Sequence, residues 1–189
     1  TDSLTTISNS AFANCTNLNH IIIPEGITAI GDSVFSGCSN LNDIILPDSL
    51  TTIGDYAFFE CTGLTNITLP DNVNSMGNNT FENCINLTHI SLSDNLTTIG
   101  NSVFNNCKEL IDVIIPENVT AIGDYSFLVS AISSVVRDGK AFISALIDIF
   151  FLTKNVSFFR EFLSLKSRIS YNSKDGKKVK RNGGKHTIE

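Results

Sequence analysis

The sequence predicts a repeat solenoid of about five and a half turns, 23 residues to the turn, in which short parallel strands alternate with helical turns. A tail outside the repeat follows. Three observations predict the coil. Phenylalanine recurs at Phe12, Phe35, Phe58, Phe81, Phe104 and Phe127, always at that interval. All five cysteines keep the same spacing, at Cys15, Cys38, Cys61, Cys84 and Cys107. Leucine follows at Leu18, Leu41, Leu64, Leu87 and Leu110, and aliphatic residues do the same at Ile21, Ile44, Ile67, Ile90 and Val113. Apolar columns held in register without an insertion mean that each turn stacks on the next, building one continuous core.

Each unit divides into elements by its own chemistry. In LxxIxLP the fourth and sixth residues are two apart, so both face one side of a short strand and the residue between them faces the other. Proline ends this strand in four of five units, because it brings no N–H to a ladder. A second apolar alternation, LTxIG, returns the chain on the opposite side. Gly31, Gly54, Gly77, Gly100 and Gly123 close it, where a positive φ or a tight turn is expected. The Asp or Asn that follows is expected to N-cap a single helical turn carrying an AF, VF or TF pair inward. With stacked strands about 4.8 Å apart, the coil should be roughly 25 Å long.

Composition is that of a globular chain, with 42% hydrophobic and 17% charged residues, but the net charge of -6 hides a split. Up to Phe127 there is one basic residue, Lys108, against 14 acidic ones; from Leu128 onward there are 12 basic against 5 acidic. Such asymmetry separates two regions with different partners or origins. The chain starts at Thr1, inside a repeat, so a fragment or a processed product is expected, and the lack of a signal peptide carries no information about secretion.

The unit LxxIxLPxxLTxIGxxAFxxC closely resembles the BspA-like (Treponema pallidum-type) leucine-rich repeat. The resemblance covers Thr1 to Phe127, with Ser8 in place of the glycine, Met76 of the isoleucine and Ser93 of the proline in single units. It implies a right-handed coil and a cell-surface or secreted protein acting in adhesion or protein binding, in host-associated bacteria or in protists. A fold does not by itself assign a function.

Motifs that suggest chemistry lose it when set against their copies. Zinc ligands cluster, whereas here a full turn separates each cysteine from the next. A disulfide ladder would meet the Cα spacing, but in-register side chains point in parallel and five is odd. The expected role is a stack of small buried hydrophobes filling the corner after the helical turn. Gly31-Asp32-Ser33 becomes Gly54-Asp55-Tyr56 and Gly77-Asn78-Asn79 in later units, so its serine reads as a turn residue and not a nucleophile. No metalloprotease, nucleophile-elbow or phosphate-loop motif occurs; no enzyme, cofactor, metal or small-molecule substrate is expected. Seven N-x-S/T triplets, at Asn14, Asn66, Asn78, Asn86, Asn95, Asn118 and Asn155, are equally expected by chance in a chain rich in Asn and Thr.

The candidate site is the outer face of the first strand. Its columns are His20, Asp43, Asn66, His89 and Asp112, and beside them Ile22, Ile45, Thr68, Ser91 and Ile114. Isoleucines turned to water beside acids and histidines suit a protein or glycoprotein partner on a host or neighbouring cell, although β-branched residues also favour strands for their own sake. The convex side or an edge is the alternative. A second function class is a structural spacer, a segment of a longer solenoid whose ligand site lies elsewhere.

After Phe127 the cysteine position holds Ser130, the leucine position holds Ser133, and the columns are lost. From Ala141, Phe142-Ile143, Leu146-Ile147 and Phe150-Phe151 recur every four residues, the face of an amphipathic helix, and Phe158, Phe159, Phe162 and Leu163 suggest a second. The expected domains are therefore 1–127 solenoid, 128–166 helical segment and 167–189 basic disordered tail. Three readings of the tail stand open: a cap on the last turn, a membrane-surface element whose basic run contacts anionic lipid, or a mis-joined end. Nucleic acid is not favoured, because no folded reader accompanies the basic run.

Overall fold

The computed structural model describes residues 4–130, 134–137 and 140–142. The chain divides into two units, Thr1–Val156 and Ser157–Glu189, and all described residues belong to the first. The helical segment beyond Phe142 and the basic tail lie outside the described residues.

The strands in chain order are β1 (Thr6–Ile7), β2 (His20–Ile22), β3 (Ala29–Ile30), β4 (Asp43–Ile45), β5 (Thr52–Ile53), β6 (Asn66–Thr68), β7 (Ser75–Met76), β8 (His89–Ser91), β9 (Thr98–Ile99), β10 (Asp112–Ile114), β11 (Ala121–Ile122), β12 (Ser134–Arg137) and β13 (Lys140–Phe142). They form two parallel stacks. The even-numbered strands through β10 carry the LxxIxLP segment, with β12 added to their stack, and the odd-numbered ones through β11 carry LTxIG. Register follows the period, as in His20↔Asp43 and Ile21↔Ile44, or Ala29↔Thr52 and Ile30↔Ile53. Strand pairing is interrupted between β4 and β6 in one stack and between β7 and β9 in the other.

The even stack continues beyond Phe127. β12 pairs in parallel with β10, with Asp112↔Ser134, Val113↔Val135 and Ile114↔Val136 in register. This interval is shorter than the others by a single residue, so every later column slips and escapes a search at the fixed period. Ala141 and Phe142, placed on a helix by their spacing, lie in β13, antiparallel to β12.

The helical turns expected after each glycine do not form; among the described residues there is no helix. Backbone amides in this segment reach across to the next turn instead. Ser33, Phe35 and Gly37 donate to the carbonyls of Asp55, Ala57 and Phe59, each at 2.8 Å, and the other turns repeat the pattern. A helix would need those amides for its own carbonyls. To aim alternate amides sideways, the backbone enters the left-handed region twice per turn. It does so at Ser10, Ser33, Tyr56, Asn79, Ser102 and Tyr125, and again at Asn14, Gly37, Glu60, Asn83, Asn106 and Val129, with φ between 53 and 73°.

The glycine column serves a close approach rather than a positive φ. Gly31, Gly54, Gly77, Gly100 and Gly123 are absent from the left-handed residues. A Cβ on Gly77 would stand 2.4 Å from Asp55 Oδ1 of the previous turn, and on Gly123 2.4 Å from Asn101 Oδ1. Those oxygens are engaged. The Asp or Asn after each glycine does not cap a helix but accepts the backbone amide of its counterpart one turn on. The amide of Asp32 donates to Asn9 Oδ1 (2.9 Å), that of Asp55 to Asp32 Oδ1 (2.9 Å), Asn78 to Asp55 Oδ1 (2.7 Å), Asn101 to Asn78 Oδ1 (2.8 Å) and Asp124 to Asn101 Oδ1 (2.8 Å).

Inside the coil, the six phenylalanines form one pile, neighbouring rings 5.2 to 5.8 Å apart and tilted by 3 to 20°. Leu41, Leu64, Leu87 and Leu110 line the same core without exposed surface. Buried Thr80 and Ser126, in a column that elsewhere holds Ala11, Val34, Ala57 and Val103, each return a hydroxyl to a glycine carbonyl, Gly77 O and Gly123 O, at 2.7 Å. Ser93, which replaces the proline, is buried and donates to Asp71 O at 2.7 Å.

Two substitutions test this framework. Gly77→Ala forces a methyl onto Asp55 and is expected to destabilise the fold by about 1–3 kcal/mol, an overpacking cost; an unchanged thermal midpoint would contradict the close approach. Glu60→Asn puts the residue type of Asn83 and Asn106 at a left-handed position and extends their side-chain ladder, in which Asn106 Nδ2 donates to Asn83 Oδ1 at 2.8 Å. It is expected to stabilise by about 1 kcal/mol and raise Tm by about 2–4 °C in a scan.

Candidate functional site

The outward columns of the even strands stand where the alternation places them. In β6 the pattern is exposed, buried, exposed: Ile67 points into the core while Asn66 and Thr68 face water. β8 repeats it with His89, Ile90 and Ser91. Ile22, Ile45 and Ile114 are 59%, 50% and 62% exposed, while Ile23, Leu69, Leu92 and Ile115 in the adjoining inward column are buried. His20, Asp43, Asn66 and His89 are all exposed, and Asp112 is placed by the pairing of its backbone with His89.

Neighbouring rungs of this face interact. His20 Nδ1 lies 2.8 Å from Asp43 Oδ2 across the β2–β4 pair, with 47% and 62% of the two side chains exposed. A pair so solvated contributes about 0–1 kcal/mol, so it orients the two groups more than it stabilises the fold. His89 Nδ1 lies 2.9 Å from Thr88 Oγ1, and Asn66 Nδ2 donates to Thr65 Oγ1 at 3.2 Å. Among the described residues, no three His, Cys, Asp or Glu side chains converge as metal ligands.

The cysteines lie on the inside of a different corner. Cys38, Cys61, Cys84 and Cys107 are free and buried, and Cys15, in the first turn, is free and exposed. Each buried thiol donates to a phenylalanine carbonyl of the turn before: Cys38 to Phe12 O at 3.0 Å, then Cys61 to Phe35 O, Cys84 to Phe58 O and Cys107 to Phe81 O, each at 3.1 Å. Ser130 continues the column by donating to Phe104 O at 2.8 Å. The cysteine is thus more than a corner filler: it is a small hydrophobe that also gives a second hydrogen bond to a carbonyl already held by a backbone amide of its own turn, and a hydroxyl does the same work. Loss of hydration on burial pushes these thiols up, Cys107 to about 12, and favours the protonated donor.

Sequence periodicity also missed an exposed acidic column, Glu25, Asp48, Asp71, Asp94 and Glu117, one residue per turn just after the proline position. The constant interval carried that signal too. Beside it, Asn72, Asn95 and Asn118 donate to the carbonyls of Asp48, Asp71 and Asp94 at 2.7 to 2.8 Å. Three of the sequon asparagines, Asn86, Asn95 and Asn118, therefore spend their amides on the preceding turn.

Parallel strands stacked at a constant period, with leucine columns inside and an open outer strand face, define a leucine-rich-repeat-type solenoid. The BspA type leucine rich repeat region matches residues 28–144 in six copies, and the chain belongs to that family. The match runs past Phe127, in line with the extra rung at β12. A leucine-rich repeat protein from Bacteroides ovatus is 29% identical, with a TM-score of 0.62, over 70% of this chain and 40% of that one. The Treponema pallidum leucine rich repeat protein is 25% identical with a TM-score of 0.54, over 67% of this chain and 70% of its own. A leucine rich cell surface protein from Faecalibacterium prausnitzii is 28% identical with a TM-score of 0.51, over 71% of this chain and 45% of its own. The chain thus spans less than half the length of two of these three. No curated protein matches it.

The thiol column makes a measurable statement. At pH 8 a thiol reagent is expected to modify Cys15 alone of the five cysteines quickly, and all five once the chain is denatured. Fast reaction of a second thiol in the native protein would show that the stack opens.

Proposed function

We propose that the chain is a non-enzymatic protein-binding module of a cell-surface or secreted protein, docking a protein or glycoprotein along its strand face. One observation carries this reading: Ile22, Ile45 and Ile114 stand half or more exposed in a single column, flanked by the polar column that begins at His20. Aliphatic side chains held in water by a rigid sheet gain from being covered, and the flanking His and Asp supply directional contacts at the rim. One similar structure is that of a leucine rich cell surface protein, which supports a surface location.

A spacer is the second reading. It is favoured by the chain's covering 40% of the Bacteroides ovatus protein, which makes it comparable to one stretch of a longer solenoid. The two separate experimentally. A photo-reactive side chain at Thr68 should cross-link a protein from host or neighbouring-cell surface extracts. The triple variant Asp43→Lys, Ile45→Lys, Asp112→Lys should lose that product at least tenfold with an unchanged thermal midpoint. Cross-linking that survives the triple variant would move the site off this face, and no product at all would favour the spacer.

A further inference from the structure

We propose that the partner of the strand face is a second copy of this chain, seated face to face with its turns running in the opposite direction; this rests on the reading of that face as a docking surface. The inference comes from the order of residues along the outward column: His20, Asp43, Asn66, His89, Asp112. Read backwards, the column exchanges every histidine for an aspartate and leaves the asparagine in place.

A two-fold axis lying in the interface, parallel to the strands and passing over β6, reverses the order of the turns while keeping each column above itself. Under that operation His20 meets the Asp112 position, Asp43 meets His89, and Asn66 meets its own copy. The neighbouring column does likewise: Ile22 meets Ile114, Ile45 meets Ser91, and Thr68 meets itself. An isologous interface demands this kind of self-complementarity. Moving the axis by half a rung destroys it, because His20 then meets His89 on one side, or Asp43 meets Asp112 on the other. One register is therefore favoured and its neighbours are opposed by like charges or unmatched groups.

The side chains are disposed for it. His20 Nδ1 and His89 Nδ1 are engaged within the chain, by Asp43 Oδ2 and Thr88 Oγ1, and neither Nε2 has a partner among the described residues. Asp43 keeps Oδ1 for an opposing ring. Sheets packed face to face lie about 10 Å apart, a distance that His and Asp side chains span together. Five rungs of three residues cover about 24 by 10 Å, well short of a standard stable interface, so the dimer should be weak and concentration-dependent.

The test is sedimentation of the full chain across concentration, with two double variants. His20→Glu with His89→Glu makes the face wholly acidic, and Asp43→Lys with Asp112→Lys makes it basic. The wild type should be dimeric at about 1 mM and monomeric on hundredfold dilution. Each variant alone should self-associate at least tenfold more weakly, and their equimolar mixture should recover the dimer. A monomeric wild type at about 1 mM would overturn the proposal, as would either variant self-associating like the wild type, or a mixture of two folded variants that stays monomeric. Should a double variant lose its circular dichroism, Ile22→Lys, which sets a cation against Ile114 of the opposing copy, must still weaken the dimer. A monomeric wild type whose Thr68 cross-link still disappears in the triple variant overturns the homodimer alone, leaving the face a docking surface for a different protein.

Discussion

Most of this coil answers to one constraint: the backbone of each turn hydrogen-bonds sideways to the turn beside it, along the strand stacks and along the segment after each glycine. A single turn has few amides bonded within itself, so most of its polar backbone would be stranded in the core without a neighbour in register. The strands meet the demand in the ordinary parallel way. The segment after each glycine meets it by abandoning the helix, and left-handed residues there are the conformational cost of turning alternate amides outward.

Side chains finish what the backbone leaves. The Asp or Asn after each glycine accepts an amide from the next turn, the buried cysteine donates to a phenylalanine carbonyl of the previous one, and Thr80 and Ser126 return their hydroxyls to glycine carbonyls. These ladders explain the narrow composition of their columns. Glycine persists where a carboxylate or amide oxygen occupies the space of a Cβ, and serine can replace cysteine or proline where its hydroxyl finds a carbonyl. The inward columns are thus tied at every rung, whereas residues such as Ile22, Thr68 and Ser91 touch solvent and are free to differ from turn to turn. The proposed docking face is built from those positions, on which folding places little demand.

The strand face was legible from alternation alone. Two residues apart means the same side, so the burial of Ile67 and the exposure of Asn66 and Thr68 follow from the spacing. The extent of the coil was less legible. A search at a fixed period ends at Phe127, although β12 adds a further rung, because the shortened interval between Asp112 and Ser134 shifts every later column by one. Ala141 and Phe142 begin the run whose spacing suggests a helix yet lie in β13, because two residues do not separate a helix from a short strand whose partner lies alongside; the rest of the run lies outside the described residues.

By itself the sequence determined the period, the apolar columns, the inward and outward faces and the membership of the family, since each of these is a pattern of residue types along one chain. Only the tertiary structure decided that the AF segment is a ladder of left-handed turns and not a helix, that the glycines mark close approach, and that the cysteines are donors. Those outcomes depend on what lies one turn away in space. A hydrogen bond between Cys84 and Phe58 joins residues that local propensity treats as strangers, and only the stacked coil brings them within 3.1 Å.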